Sequence, residues 1–469
     1  MRCYPRPGSG ILSGRLSAGG RGDKPVKVKC VTLGCKLNYY ESCALGEEME
    51  RRGYQVVRDG SADIVIVNTC AVTSRAGMQS RQEVRKAIKN NPGARVIMTG
   101  CYAQYNPEIA DSIEGLAAIV GNAGKASIPH WISDNEQLES VALQPESFGF
   151  SGFMPADALK ARSFMGRSRA FLKIQDGCNA FCHYCIIPFL RGRSRSLGRA
   201  EIVTEAKAIA DVGYRELVLT GVHLGQYGQD LKPEHDLTFL LEQLLRESRL
   251  RLRLGSLQPQ EVTPTMINLL ADEENNLCEH LHLSLQSADD QVLASMGRPY
   301  GQKDIMFLAK TIKQLNPRVN IGADIIVGYP TETEEAFKNT FHLLTDLPFT
   351  YLHVFPYSPR PGTVAAKMKD IVPAKVKKER VKILYELEKA KKTASYKEYI
   401  NHPLRVVVER VHKSKGELIS LSGHSRNYLN VSIDDFISHE TTTFFKREIK
   451  VFPHAFDGLK LLAKIDSQS

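Results

Sequence analysis

From about residue 27 onward, short apolar, β-branched runs alternate with longer amphipathic stretches, and the period of each predicts its element. "VKCVTLGC" (28–35), "ADIVIVNTC" (62–70) and "ARVIMTGC" (94–101) read as strands, and "YESCALGEEMERRG" and "SRAGMQSRQEVRKAIKNN" between them as helices. Strand–helix alternation at this spacing predicts an open parallel sheet with helices on its faces. Beyond a Gly/Ser/Pro-containing stretch a second series begins: "RAFLKIQ", "YRELVLTG", "RLRLGSL", "HLHLSLQS", "VNIGADIIVGYP" and "YLHVFPYSP". Helical patterns such as "RAEIVTEAKAIADVG" and "TETEEAFKNTFHLLTDL" separate them. Six βα units predict a partial barrel, short of the eight that close a full one. A helix over about 374–400 follows, with Val376, Ile383, Leu384 and Leu387 on its apolar side. The remainder alternates with period two and predicts a small β-barrel.

The expected class is therefore α/β, in several units, as 469 residues exceed what one core usually holds. The organisation read from the pattern is a disordered extension at 1–26, then an open α/β domain at 27–140. A linker at 141–168, a partial (βα)6 barrel with the basic helix at 169–400, and a small β-barrel at 401–469 complete it. No solenoid-type repeat is present.

Composition changes this picture little: 42% hydrophobic and 24% charged residues suit a folded chain. Charge adds more. The formal net charge is +10, and between Lys367 and Lys415 there are 15 Lys and Arg against 6 Asp and Glu. Such a surplus is either a solvated helix face or a surface for an anionic partner. No run approaches the ~20 apolar residues that span a bilayer. The first 26 residues are rich in Gly, Ser and Arg, and their apolar stretch is too short for a secretory signal, so a disordered extension is expected. Ten cysteines in a chain that is neither short nor loop-rich point to a reducing cytosol rather than to a disulfide framework.

Those cysteines carry the chemistry. Cys35, Cys70 and Cys101 each end one of the first three strands, and ligands of open α/β sheets sit beyond the carboxyl ends of strands. One such cysteine is usually a small buried hydrophobe; three at equivalent places predict a metal or cluster site. Cys178, Cys182 and Cys185 crowd into eight residues after the first barrel strand, on the face where barrels do their chemistry. Structural zinc needs four ligands. His183 is a fourth only on paper, and no second CxxC completes the set. Three thiolates instead suit a [4Fe–4S] cluster with one iron left open. Arg191, Arg193, Arg195 and Arg199 follow; by themselves they read as salt-bridging surface arginines. Cys30 and Cys43 read as packing residues, and Cys278 matches no ligand pattern. "GNAGKAS" (121–127) lacks phosphate-loop spacing, and neither a nucleophile elbow nor an H-E-x-x-H helix is present.

C-x3-C-x2-C with Tyr184 before its last cysteine resembles the radical S-adenosylmethionine (SAM) superfamily. "TLGCKLNYYES", "NTCAVT" and "GCYAQ" resemble the amino-terminal domain of the methylthiotransferases. "GCNAFCHYCIIPFLRGRSRS", "TGVHLGQYG" and "FPYSPRPGT" resemble their radical-SAM domain, and the last segment a TRAM RNA-binding barrel. The resemblance covers almost the whole chain from Lys27. It implies that Cys178, Cys182 and Cys185 hold a [4Fe–4S] cluster that cleaves SAM to a 5′-deoxyadenosyl radical. It also implies a second cluster on Cys35, Cys70 and Cys101 that carries sulfur, with a second SAM supplying the methyl group. By the same resemblance Tyr184 lies along the adenine, Gly221 lets backbone approach the methionyl part, and Ser256, Gln286 and Asp324 contact SAM. For Arg191, Arg193, Arg195 and Arg199 the resemblance implies phosphate contacts instead of surface salt bridges. "SADDQV" and "GYPTET" depart from the family's usual "GS" turn and "GFPGET", which touches the fine geometry there but not the cysteines.

Three subfamilies share this layout. They act on isopentenyladenosine in tRNA, on threonylcarbamoyladenosine in tRNA, or on an aspartate of a ribosomal protein. "GCKLNYYES" and "GVHLGQYG" resemble the threonylcarbamoyl type, while the "GCQMN" start and "GQNVN" turn of the isopentenyl type are absent. The basic surplus argues against the ribosomal-protein type, because phosphate neutralisation drives tRNA affinity. The expectation is methylthiolation at C2 of N6-threonylcarbamoyladenosine 37, by a cytoplasmic enzyme with tRNA as partner. The electron donor and sulfur source are not named by the sequence. A cluster-bearing RNA-binding or sulfur-carrier protein is the non-catalytic rival.

Overall fold

The computed structural model describes residues 24–134, 159–231, 236–414, 417–435 and 444–466. Most of the expected extension and the larger part of the expected linker lie outside these described residues. The chain opens as anticipated with a five-stranded sheet. Its strands are β1 (Lys27–Thr32), β2 (Gln55–Val56), β3 (Ile64–Thr69), β4 (Arg95–Gly100) and β5 (Leu116–Val120). All are parallel, in the order β2-β1-β3-β4-β5. Helices α1 (Lys36–Arg51), α2 (Ser74–Asn90), α3 (Cys101–Tyr105) and α4 (Ile128–Ser133) connect or follow them. The β3 side chains are buried on both faces, as a central parallel strand requires.

The second unit contains β6 (Arg169–Lys173), a short ribbon of β7 (Gln175–Asp176) with β8 (Arg195–Ser196), and β9 (Glu216–Thr220). It continues through β10 (Arg251–Leu254), β11 (His280–Gln286), β12 (Asn320–Val327) and β13 (Phe349–Pro356). Its helices are α5 (Ile187–Arg191), α6 (Arg199–Asp211), α7 (Leu237–Glu247), α8 (Pro264–Ala271), α9 (Asp290–Ser295), α10 (Gln302–Leu315) and α11 (Glu334–Asp346). Two parallel three-stranded sheets, β6-β9-β10 and β11-β12-β13, join through parallel bridges Leu252–Leu277 and Leu257–Leu283. Together they make the expected six-stranded partial barrel. Along β11, Leu281, Leu283 and Leu285 join the apolar core, while His280, His282 and Gln286 alternate with them onto the other face. The lumen is therefore polar. One core runs from the first sheet into the barrel, and the Tyr39 ring meets Phe171 edge-on at 5.6 Å.

α12 (Ala374–Glu398) packs beside β13. Its buried line differs from expectation: Leu384 is inaccessible, Val376 and Leu387 are half-buried, and Ile383 is 44% exposed. The stripe runs 376, 380, 384, 387 at helical spacing and passes through Arg380, which is buried by its pair with Glu332 (2.6 Å). Ile383 lies one residue off this line and faces out.

β14 (Leu404–Ser414), β15 (Glu417–Ser425), β16 (Asn430–Asp435), β17 (Glu448–Phe456) and β18 (Leu461–Ile465) close the predicted small barrel, in the order β14-β15-β16-β18-β17. Its β15–β16 turn docks on the amino end of the half-barrel. Arg253 donates to the carbonyls of Ser425 and Arg426, Arg251 to that of His424, each at 3.0 Å. Tyr428 sits on this turn with its ring 4.6 Å from that of His280. The two arginines share Glu216, whose carboxyl they hold well below the usual range although burial alone would raise it.

Candidate active site

Cys35 caps α1, Cys70 follows β3 and Cys101 opens α3, so all three stand at the carboxyl edge of the first sheet. Two glycines let the backbone close in at this edge. Gly34 has φ +97°, and a Cβ there would meet Cys70 Sγ at 2.9 Å. Gly100 also has φ +97°, and a Cβ there would be 2.4 Å from Asn68 Oδ1. Cys70 and Cys101 are buried, while Cys35 opens to solvent. Burial raises the Cys70 thiol to about 11, with Cys101 and Cys35 adding to the rise. Two donors face the third sulfur: Arg191 Nε at 3.4 Å and Asn122 Nδ2 at 3.7 Å from Cys101 Sγ.

The second cysteine set hangs beyond β6 and β7. The Cys178 N–H donates to Gly192 O (3.0 Å) and the Cys185 N–H to Cys182 O (2.8 Å), while Phe181 takes a left-handed φ of 46° to turn the loop. His183 does not join the thiols. Its Nδ1 lies 2.7 Å from Ser295 O, which turns the ring toward α9 and removes the paper fourth ligand. His223, after β9, reaches Cys178 Sγ with Nδ1 at 3.3 Å and pairs through Nε2 with Glu261. Burial opposes its protonation, but the bonds to Cys178 and Glu261 prevail and lift it to about 9. With His183 turned away and His223 paired with Glu261, each set offers three thiols among the described residues, which fits a cluster with one open iron better than structural zinc.

One buried network ties the two sets together. Arg191 donates through Nη1 to Glu41 Oε1 (2.9 Å) and Asp176 Oδ1 (3.0 Å), and through Nη2 to Asn38 Oδ1 (2.8 Å). Lys125 pairs with Glu41, and Lys173 lies 3.4 Å from Asp176. Burial alone would raise the Glu41 carboxyl, yet Arg191, Lys125 and Lys173 hold it well below its usual value. Arg191 therefore bridges the first sheet's helix, the strand entering the Cys178 loop, and Cys101 itself. The expectation that it contacts phosphate is corrected: it is 3% exposed and fully engaged inside the protein. Lys125, in the "GNAGKAS" stretch, likewise serves this network. The other three arginines lie nearer the surface. Arg193 stacks over Phe181 (4.7 Å), Arg195 bonds Arg193 O (2.7 Å), and Arg199 lies over Phe239 (4.6 Å).

A cavity of about 530 Å³ opens beside the Cys178 loop, lined in part by Cys182, His223, Gln226, Gln258, Glu261 and Gly297. None of the five residues assigned to SAM by sequence lines it. Tyr184 accepts a bond from Arg298 (2.6 Å). Gly221 leaves room for Gln175, whose Oε1 would lie 2.7 Å from a Cβ there. Ser256 is exposed just past β10. Gln286 is buried at a left-handed φ of 69°, where the register of β11 shifts. Asp324 is held by His282 Nε2 (2.9 Å) and His353 Nδ1 (3.3 Å), which depress its carboxyl against the effect of burial. His223 and Glu261 were not singled out by sequence reasoning, although His223 stands two residues beyond Gly221 in the quoted "TGVHLGQYG". Cys30 is half-buried and Cys43 and Cys278 are buried, consistent with packing.

Comparison with known proteins agrees with this geometry. Residues 172–344 match the radical SAM superfamily, and residues 27–121 match an uncharacterized family designated UPF0004. The chain is 38% identical over 408 residues to the threonylcarbamoyladenosine tRNA methylthiotransferase MtaB of Bacillus subtilis, covering 85% of this chain and 88% of that protein. It is 37% identical to the protein of the same name from Aquifex aeolicus, covering 82% and 93%. It is also 35% identical to a tRNA-2-methylthio-N(6)-dimethylallyladenosine synthase of Staphylococcus aureus, covering 75% and 69%. Among solved structures, the radical SAM methyltransferase TsrM of Kitasatospora setae, with cobalamin and a [4Fe-4S] cluster bound, shares the fold. Its TM-score is 0.54 at 15% identity, covering 73% of this chain and 77% of that one. A parallel-sheet domain and a radical-SAM half-barrel, each carrying three cysteines and joined through Arg191, thus occur in a chain whose methylthiotransferase relatives it matches over most of their length, and the chain belongs to the radical-SAM methylthiotransferase family.

Proposed function

We propose that this protein inserts sulfur and a methyl group at C2 of N6-threonylcarbamoyladenosine 37 in tRNA. The observation that carries the reading is buried Arg191, which reaches Cys101 of one three-thiol set and Asp176 at the entry to the loop of the other, beside an open cavity at the carboxyl ends of the barrel strands. Cys178, Cys182 and Cys185 would hold one [4Fe–4S] cluster and Cys35, Cys70 and Cys101 the other. When bound, these clusters supply the electron that splits SAM and the site from which sulfur is delivered. The chain itself positions and encloses. Gly34 leaves room for the Cys70 sulfur, Gly100 lets β4 close on Asn68 and Thr69, Arg191 joins the two domains, and His223 orients toward Cys178 from the cavity wall.

The substrate assignment rests on relatives of matching length named for threonylcarbamoyladenosine. The basic helix supports an RNA partner, and Arg193, Arg195 and Arg199 remain proposed phosphate contacts. A reductant and a sulfur source are required, and a cytosolic setting fits both the substrate and the free cysteines.

Mass spectrometry of tRNA nucleosides from cells with and without the gene tests the proposal. Loss of 2-methylthio-N6-threonylcarbamoyladenosine with build-up of its precursor is expected. Loss of only the isopentenyl derivative would move the protein to the sister subfamily. Reconstituted protein that yields no 5′-deoxyadenosine from SAM under reductant would favour the non-catalytic rival, whereas cleavage abolished by Cys182→Ala would eliminate it.

A further inference from the structure

Six arginines are buried among the described residues: Arg191, Arg251, Arg253, Arg360, Arg380 and Arg426. Five pair with a carboxylate, namely Glu41, Glu216 (twice), Glu332 and Glu279. Arg360 is the exception. It is 5% exposed, and neither its Nε nor its Nη2 has a hydrogen-bond partner. Burying a guanidinium without an acceptor is costly, so folded proteins keep such a group where a ligand completes it.

Its position says what kind of ligand. The guanidinium carbon lies 4.3 Å from the ring centroid of Tyr105, the last residue of the helix that begins with Cys101. The segment after β13 that carries it is fastened on both sides. Ser358 Oγ accepts from the Ser74 N–H (3.0 Å), at the start of α2 in the first domain. The Ala365 N–H donates to His183 O (2.8 Å), and Gly362 lies against Ile186, both in the Cys178 loop region. Arg360 thus stands between the two cysteine-bearing elements, held flat by an aromatic face. The unpartnered pair, Nε with Nη2, is the side-on fork that receives two oxygens of a carboxylate or phosphate at once.

We propose that Arg360 binds an anionic group of the RNA substrate, through a bidentate contact with two oxygens of a carboxylate or a phosphate. This deepens the tRNA reading and rests on it. The two sources are the threonyl carboxylate of the modified base and the backbone phosphate beside it. The chemistry at the site is the same for both. An ammonium could not replace the fork, because it lacks the plane that stacks on Tyr105 and the fixed pair of donors.

The test is fluorescence-anisotropy binding with reconstituted full-length protein and two tRNAs, one carrying N6-threonylcarbamoyladenosine 37 and one with plain adenosine 37. Wild type is compared with Arg360→Gln and Arg360→Lys. If the carboxylate is the ligand, both variants lose about tenfold or more in affinity for the modified tRNA only. If a phosphate is the ligand, both tRNAs weaken alike, and in Arg360→Gln, which removes the charge, the slope of log affinity against log salt falls by about one. Either outcome supports the proposal. Affinities kept by both variants for both tRNAs overturn it while leaving the substrate reading in place. Wild-type protein that binds neither tRNA refutes that reading and the proposal with it. Melting of tRNA-free protein gives an independent readout. Arg360→Met should melt at or above wild type, because no internal pair is broken. A clear fall would mean the guanidinium is already paired, and would overturn the proposal.

Discussion

Arg191 and Arg193 are two residues apart and do opposite work. The first is enclosed by Glu41, Asp176, Asn38 and Cys101, and the second is exposed above Phe181. Arg191→Ala leaves two buried carboxylates short of their shared cation, so a loss of about 3–5 kcal/mol is expected in denaturant unfolding. If Cys35, Cys70 and Cys101 hold a cluster, the iron content of the reconstituted variant should fall with it, which metal analysis would show. Wild-type stability in that variant would refute the bridging role. Arg193→Ala should change stability by no more than about 0.5 kcal/mol. If it contacts phosphate, it should lower the salt slope of tRNA binding by about one. An unchanged slope would remove Arg193 from the interface.

Among the elements, α12 offers the sharpest contrast. Leu384 is fully buried against the barrel and Ile383, its neighbour, points to solvent. Leu384→Ala is expected to cost about 2–5 kcal/mol through lost burial and the cavity left behind. Ile383→Ala should fall within about 0.5 kcal/mol. Comparable losses from both would mean that the helix is rotated from the arrangement described. The apolar pattern alone favoured both residues, because Ile383 and Leu384 are equally hydrophobic. What separates them is Arg380, a cation that occupies a core-facing position since Glu332 is there to meet it.

Across the whole molecule, one buried carboxylate anchors a central part of the docking of the small barrel. Glu216 holds Arg251 and Arg253, and those arginines grip the carbonyls of residues 424–426. Its folded-state pKa is depressed, so its contribution is present above the unfolded value of about 4.3 and is lost as pH falls toward the folded one. Stability should therefore drop below about pH 4.5, and Glu216→Gln should drop less over the same interval after an initial loss of about 3–5 kcal/mol near neutrality. Urea midpoints measured from pH 7 to pH 3 give both quantities. An acid loss as steep in the variant as in wild type would place the sensitivity on other carboxylates.

Much of this protein was written in local pattern. Period-two apolar runs and helical stripes gave the open sheet, the six βα units and the terminal barrel, because parallel strands buried on both faces leave a strong signal in short windows. The placement of Cys35, Cys70 and Cys101 at the ends of three strands was equally legible, since a strand's carboxyl end is defined by the chain itself, and the crowding of Cys178, Cys182 and Cys185 is plain in the sequence. Tertiary structure alone decided which charged residues are inside. Nothing in "RGRSRS" distinguishes an arginine locked among Glu41 and Asp176 from one left at the surface, because those two partners lie 150 and 15 residues away in sequence. The same holds for His223, whose role at Cys178 depends on Glu261 folding over it, and for Arg360, which looks like any loop arginine in "FPYSPRPGT" until its burial and empty fork are seen. Burial of apolar groups is encoded residue by residue in their own chemistry. Burial of a charge is settled only when the fold brings, or withholds, its counterpart.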